Sequence, residues 1–229
     1  MFTKFLKIGH RGASGYEPEN TLLSFERASE LGANMIEFDV RSCRTGEVVV
    51  MHDSTVNRTT NGVGHVRDYN FFELRKLDAG KGQKIPTLEE VLDLAEGRLK
   101  MNIELKDERS VKETATLVQK YISRNKFDQD DFLISSFDVI ALTKFKEILP
   151  SIRVMPLRLF FSSAIYTLTE NIDSHFIDVS FPFLKKSRIK KARKRGLNIL
   201  TGVINDPKKI EYFKSLGVDG IFSDYPDLL

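Results

Sequence analysis

The strongest constraint on the fold is an alternation carried along the whole chain: a short apolar run, a polar turn, then an amphipathic segment. Runs that read as strands occupy residues 5–9, 35–40, 101–105, 132–135, 152–157, 176–179, 198–203 and 220–222. Helical periodicity falls between them, over 20–31, 88–95, 111–125, 139–148, 185–195 and 207–216. Thr87-x-x-Glu90 reads as a capping box, and Gly32 and Gly217 suit the left-handed position that ends a helix. Strands that alternate with helices pair in parallel, because each helix carries the chain back to the starting edge. Two closures compete, an eight-stranded α/β barrel and an open doubly wound sheet. No glycine-rich phosphate loop follows the first run, which weighs against the dinucleotide-binding open sheet. His10, Glu37, Asp39, Glu104 and Lys106 fall at or just past the ends of runs, where a barrel gathers its loops into one mouth. A (β/α)8 or TIM barrel is therefore expected, as one domain over 1–229, with its last helix very short or missing. Residues 53–86 break the rhythm. The stretch is too long for a plain loop and is expected to be a small subdomain inserted after the second strand, lying over the mouth.

With 229 residues, 41% hydrophobic and 29% charged, the chain has ordinary soluble composition and enough length to bury a core. A net charge of +3 is too small to imply a nucleic-acid partner. The basic run 185–195 reads as the solvated face of a helix, with an anionic-surface patch as the lesser reading. Cys43 is the lone cysteine, so neither a disulfide framework nor a cysteine metal site is available. The opening apolar stretch is short and broken by Lys4 and Lys7, unlike a signal peptide. The most apolar internal window, 132–142, carries Asp138 and falls short of the roughly 20 residues a membrane span needs. A cytoplasmic protein without stable membrane insertion is expected, and a homodimer is compatible with these features.

The chemistry concentrates in a few short motifs. Glu37-Phe38-Asp39 ends an apolar run, and side chains two apart on a strand share a face, so both carboxylates point one way. Glu104-Leu105-Lys106 repeats the pattern on the next barrel strand, about 5 Å away in strand spacing. Three carboxylates this close raise one another's pKa unless a cation lies among them. All-oxygen ligation selects Mg²⁺ or Ca²⁺, with Mn²⁺ as a further option; the alternative is an ion-paired cluster neutralised by Lys106 and Arg11. His10 and His52 both follow strand-like runs, one preceding Arg11 and the other Asp53. An imidazole accepts or donates a proton near neutral pH. Arg11 can fork onto two phosphate oxygens, and Lys106 supplies a point charge at the same mouth. His65 and His175 read as surface residues.

Several motifs in order resemble the glycerophosphodiester phosphodiesterase family: His10-Arg11-Gly12, Pro18-Glu19-Asn20-Thr21, Glu37-x-Asp39-Val40, His52-Asp53, Arg58-Thr59-Thr60-x-Gly62, Ile85-Pro86-Thr87-Leu88 and Asn102-Ile103-Glu104-Leu105-Lys106. The closing segment Val218-Asp219-Gly220-Ile221-Phe222-Ser223-Asp224-Tyr225-Pro226 is similar too. The resemblance covers essentially the whole chain. It implies an α/β barrel with a small insertion after the second strand, which hydrolyses small-molecule glycerophosphodiesters to glycerol 3-phosphate and an alcohol with one divalent cation. It further implies that Glu37, Asp39 and Glu104 ligate the metal, that His10 and His52 are the acid/base pair, that Arg11 and Lys106 contact phosphate, and that Glu19 and Asn20 support the mouth. The vicinal glycerol hydroxyl would attack phosphorus, and water would open the resulting cyclic phosphate.

Two positions depart from the family pattern. The hairpin before His52 reads Cys43-Arg44-Thr45-Gly46 rather than Thr-x-Asp-Gly, with Gly46 still able to make the turn. Gly202-Val203-Ile204-Asn205 stands where the family has Trp-Thr-Val-Asn, in a chain without tryptophan. The apolar wall of the mouth must then come from elsewhere, with Phe160 and Phe161 as candidates. Two rival functions are a lysophospholipase D-like or phosphoinositide-type phosphodiesterase on the same barrel, and a non-catalytic binding barrel.

Overall fold

The computed structural model describes residues 5–158 and 163–229. The apolar runs form β1 (Leu6–His10), β2 (Met35–Ser42), β3 (Val48–Val50), β4 (Lys100–Leu105), β5 (Phe132–Ser136), β6 (Arg153–Arg158), β7 (Phe176–Val179), β8 (Asn198–Thr201) and β9 (Gly220–Ser223). All but β3 lie parallel, in the order β1-β9-β8-β7-β6-β5-β4-β2, and a β1–β2 pairing closes the ring. The closure is set by His10 opposite Glu37 on one side and Ile8 opposite Phe222 on the other. This is the expected eight-stranded barrel. The ninth strand, β3, pairs antiparallel outside the ring, with Val40 opposite Val50. Its hairpin turns at Gly46, whose φ of 102° a side chain would strain.

The strands are apolar on both faces because both are covered. Leu6, Ile8, Met35, Leu133, Met155, Leu157, Phe176, Leu200 and Phe222 fill the barrel interior. The outer face packs against helices α1 (Leu22–Glu30), α3 (Leu88–Ala95), α4 (Val111–Ser123), α5 (Val139–Ile148), α6 (Ala164–Asn171), α7 (Lys186–Arg193) and α8 (Pro207–Ser215). Caps mark their starts: Thr21 accepts from the Ser24 N–H, and Thr87 and Glu90 form the expected capping box. Such caps contribute about 1 kcal/mol each. Gly32 and Gly217 adopt φ of 84° and 80°, as the ends of α1 and α8 require. A single 3-10 turn, Pro226–Leu228, follows β9. On α7 only Ile189 and Ala192 are buried, so the basic run is a solvated face.

Between β3 and α3 the chain runs through a 3-10 turn at Val66–Asp68 and a one-turn helix, α2 (Phe71–Leu74), capped by Asn70 and Glu73. Val56, Val66, Leu74, Ala79 and Ile85 pack there with Cys43, Val49 and Met51 of the hairpin. A Thr55–His65 bridge ties the segment's beginning to its middle. No helix among the described residues is long and apolar enough to cross a membrane.

Candidate active site

Strand alternation and register bring the predicted acids together. Glu37 and Asp39 project from β2 into the barrel, while Phe38 between them packs outward against Phe25. Asp39 stands directly opposite Glu104 of β4. Oxygen atoms of Glu37, Asp39 and Glu104 lie within 4.8 Å of one another, with exposures of only 4%, 0% and 8%. Lys106 reaches back to this cluster, with Nζ 2.5 Å from Glu104 Oε1 and 3.1 Å from Asp39 Oδ1.

The loop after β1 places Arg11 and Asn20. Both take left-handed backbone conformations, with φ of 53° and 58°, a cost accepted where surrounding contacts dictate it. The Arg11 N–H donates to Glu37 Oε2 at 2.9 Å, and Arg11 accepts the Asn20 N–H. Arg11 Nη1 donates to Glu19 Oε1 at 2.8 Å, and its Nε lies 3.6 Å from Asp39 Oδ2. Asn20 Nδ2 donates to Asp39 Oδ2 at 2.8 Å. Glu19 and Asn20 therefore hold Arg11 and Asp39 in place.

Each histidine is held through Nδ1 by a carboxylate. His52, just past β3, lies 2.6 Å from Asp53 Oδ1. His10, the last residue of β1, lies 2.7 Å from Asp224 Oδ1. A carboxylate accepting at Nδ1 fixes the ring proton there and leaves the Nε2 lone pair available. Asp224 also accepts from Ser14 Oγ at 2.8 Å and Asn205 Nδ2 at 2.6 Å. Arg58 reaches in from the long connection and clamps both Asp53 and Glu19. Asp224, Arg58, Ser14 and Asn205 were not among the residues anticipated for the site. The closing segment containing Asp224 and the motif containing Arg58 were the available signals. His65 and His175 are exposed, as expected.

The electrostatics follow from burial and company. Burial, with Asp39 and Glu104 beside it, pushes Glu37 well above the usual carboxylate range. Burial and Asp39 push Glu104 up to about 7 against the opposing pull of Lys106. Burial also works against ionisation of Asp39, but Lys106 and Arg11 outweigh it and hold that carboxyl low. Burial lowers the His52 imidazole, partly offset by Asp39 and Asp53. For Asp224 burial is opposed by the bonds from His10 and Asn205, which hold it at about 2. Two of the three clustered acids thus lack sufficient counter-charge. The trio is all-oxygen, converging and under-neutralised, which fits a hard divalent cation.

Two cavities open from this cluster and share His52, Glu104, Lys106 and Phe137. One, of about 320 Å³, runs into the barrel past His10, Arg11, Glu37, Asn102 and Asp178. The other, of about 490 Å³, lies toward Arg41, Asp53, Ser54, Thr55 and Asp138. Phe222, Leu157 and Val203 supply the apolar wall of the first. A Cβ at Gly202 would come within 2.5 Å of the Phe222 Cβ, so this barrel has no space for an aromatic at that position. Phe160 and Phe161 lie outside the described residues.

Known proteins resemble the chain along almost its whole length. Residues 10–228 match the glycerophosphoryl diester phosphodiesterase family. The chain is 33% identical to a glycerophosphodiester phosphodiesterase of Caldanaerobacter subterraneus, over 99% of this chain and 96% of that protein. It is 31% identical to one from Bacillus subtilis, over 98% and 85% respectively. A phosphodiesterase of Oleispira antarctica, solved in complex with the product sn-glycerol-3-phosphate, superposes with a TM-score of 0.90 at 30% identity, covering 96% of this chain and 93% of that one. A barrel with two carboxylate-held histidines beside an acidic cluster, matched end to end by these relatives, places the chain in the glycerophosphoryl diester phosphodiesterase family, as an enzyme that hydrolyses phosphoric diesters.

Proposed function

We propose that the protein hydrolyses glycerophosphodiesters in two steps, with the substrate's own vicinal hydroxyl as the first nucleophile and His10 and His52 as the proton carriers. The observation that carries this reading is the pairing of two Nδ1-anchored imidazoles with three buried carboxylates around one cavity. Glu37, Asp39 and Glu104 would hold one divalent cation, Mg²⁺ or Ca²⁺ with Mn²⁺ as a further option. Such an ion, when bound, acidifies a coordinated hydroxyl and neutralises charge on phosphate.

The chain's own groups do the rest. Arg11 and Lys106 grip the phosphate oxygens, Arg11 as a fork and Lys106 as a point charge. His10 borders only the inner cavity, so it takes the proton from the attacking hydroxyl there. His52 borders both cavities, so it delivers a proton to the departing alcohol on the far side. In-line displacement requires nucleophile and leaving group on opposite sides of phosphorus, and two cavities that share His52, Glu104, Lys106 and Phe137 support that reading. In the second step the roles reverse: His52 takes a proton from water, and His10 returns one to the glycerol oxygen as the cyclic phosphate opens. Asp53 and Asp224 stabilise each imidazolium as it forms, and Glu19 and Asn20 keep Arg11 and Asp39 aligned.

Residues 53–86 belong to the same proposal, as a small subdomain on a single barrel domain, whose Arg58 braces Asp53 and Glu19. All the named groups come from one chain, so a homodimer is allowed but not needed. A cytoplasmic setting completes the reading. The mechanism is tested with a diester whose vicinal hydroxyl is replaced by hydrogen. Turnover should vanish; normal turnover would rule out substrate-assisted attack.

A further inference from the structure

The inward side chains of a barrel stack in layers. Leu133, Met155, Phe176 and Leu200 belong to an apolar layer that plugs the interior. Two residues nearer the mouth on the same strand faces, Ser135 replaces Leu133 and Asp178 replaces Phe176. Asn102 joins them from β4, beside Leu133 in register. Asn102 is 1% exposed and Ser135 0%. Asn102 Oδ1, Ser135 Oγ and Asp178 Oδ1 are all sealed from solvent without a hydrogen-bonding partner in the protein. All three residues line the inner cavity with His10 and Glu37. Buried polar atoms left unpaired are destabilising, and the apolar plug beneath shows that aliphatic side chains pack well in this interior. Three orphan atoms gathered around one cavity are the pattern expected of a site that completes its hydrogen bonds with a ligand.

We propose that Asp178, with Asn102 and Ser135, receives the free primary hydroxyl of the substrate's glycerol moiety, and so selects glycerophosphodiesters over diesters whose primary hydroxyl is acylated. The proposal rests on the phosphodiesterase reading above and deepens it. The attacking hydroxyl must lie between His10 and the acidic cluster, and the primary hydroxyl is carried on the adjacent carbon. A substrate placed for attack therefore brings that group into the same cavity. Once these side chains turn toward the cavity, one hydroxyl can donate to the Asp178 carboxyl or the Asn102 amide oxygen while accepting from Ser135 Oγ. An esterified oxygen has no hydrogen to donate and would leave the buried acceptors unpaired. Leu157 and Phe222 line the same cavity with apolar surface, which suits the glycerol carbons. In this proposal Asp178 sets specificity and takes no part in the proton transfers.

The test compares glycerophosphocholine with its 1-deoxy analogue, which keeps the vicinal hydroxyl and the same leaving group. The wild-type protein should favour glycerophosphocholine about 10- to 100-fold in kcat/KM, the range expected when a buried polar group is left without its hydrogen bond. Asp178→Leu should bring that ratio close to one, and Asp178→Asn, which keeps an oxygen acceptor, should retain part of it. Lysophosphatidylcholine should be a poor substrate of the wild-type protein. Calorimetry reads the same subsite without turnover: glycerol 3-phosphate should bind more tightly than propane-1,2-diol phosphate to the wild type, and equally to Asp178→Leu. A melting temperature for Asp178→Leu at or above wild type confirms its fold, since burial works against a carboxyl at this position. Equal treatment of the two substrates by the wild type, or an undiminished ratio in Asp178→Leu, overturns the proposal. Absence of glycerol 3-phosphate release from every diester would instead fail the phosphodiesterase reading, and the calorimetric comparison would still decide the subsite.

Discussion

Asp224→Asn is the most informative single substitution. The carboxylate accepts on both oxygens, from His10 and Ser14 at Oδ1 and from Asn205 at Oδ2. An amide can accept on only one side, so the substituted side chain must either present its NH₂ to a donor or release His10. The native carboxyl sits at about 2 against an ordinary 3.8, which corresponds to about 2.5 kcal/mol of stability above that range. Its side chain is 28% exposed, so solvent screening trims that figure only modestly. A carboxyl depressed by folding stabilises above its unfolded pKa and loses that contribution as pH falls through the folded value. Urea unfolding should therefore show Asp224→Asn weaker by about 2 kcal/mol at pH 7, with the gap closing as pH drops from about 4 toward 2. Glycerol 3-phosphate release should fall about 10²- to 10⁴-fold, because His10 loses its fixed tautomer and orientation. A variant with wild-type turnover, or a stability gap that does not change with pH, would refute the reasoning.

The remaining predictions concern His52, the acidic cluster and the altered barrel strand. His52→Ala should lower turnover about 10²- to 10⁴-fold while leaving thermal unfolding close to wild type; unchanged turnover would remove His52 from the mechanism. In metal-free protein Glu104 is raised by folding, so its contribution is present below pH 4.5 and lost as pH rises through about 7. Denaturant unfolding should accordingly weaken across that window, Glu104→Gln should flatten the slope, and added Mg²⁺ or Ca²⁺ should recover stability at pH 8. Gly202→Ala would force a Cβ to 2.5 Å from the Phe222 Cβ and 2.9 Å from the carbonyl oxygen of the same residue. It should cost about 1–3 kcal/mol in thermal unfolding, the usual range for overpacking, and a neutral outcome would mean the strands part easily there.

What could be read from the sequence is what depends on neighbours along the chain or on adjacent strands. Two-residue periodicity put Glu37 and Asp39 on one face, and parallel pairing of successive barrel strands put Glu104 beside them. His52 and Asp53 needed only adjacency. The partner of His10 could not be found that way, because Asp224 lies 214 residues on and meets it only when β9 closes against β1. Asp178 was invisible for the same reason: on a four-residue strand, only the closed ring shows that it faces the cavity. The loss of an aromatic at Gly202 suggested a gap, whereas close approach of β8 and β9 lets Phe222 form that wall instead. Helix α6 escaped notice because Ile165, Thr167 and Thr169 are weak helix formers; burial of Ile165, Tyr166 and Thr169 against neighbouring elements overrides that preference.

The central claim is that Glu37, Asp39 and Glu104 hold the cation that this hydrolysis requires. Its most direct test is release of glycerol 3-phosphate from glycerophosphocholine, measured before chelation, after removal of divalent ions, and after add-back of Mg²⁺, Ca²⁺ or Mn²⁺. Release should fall to background on chelation and return with at least one of these ions in the wild type, but with none in Glu37→Gln. Undiminished release from chelated protein would contradict the account.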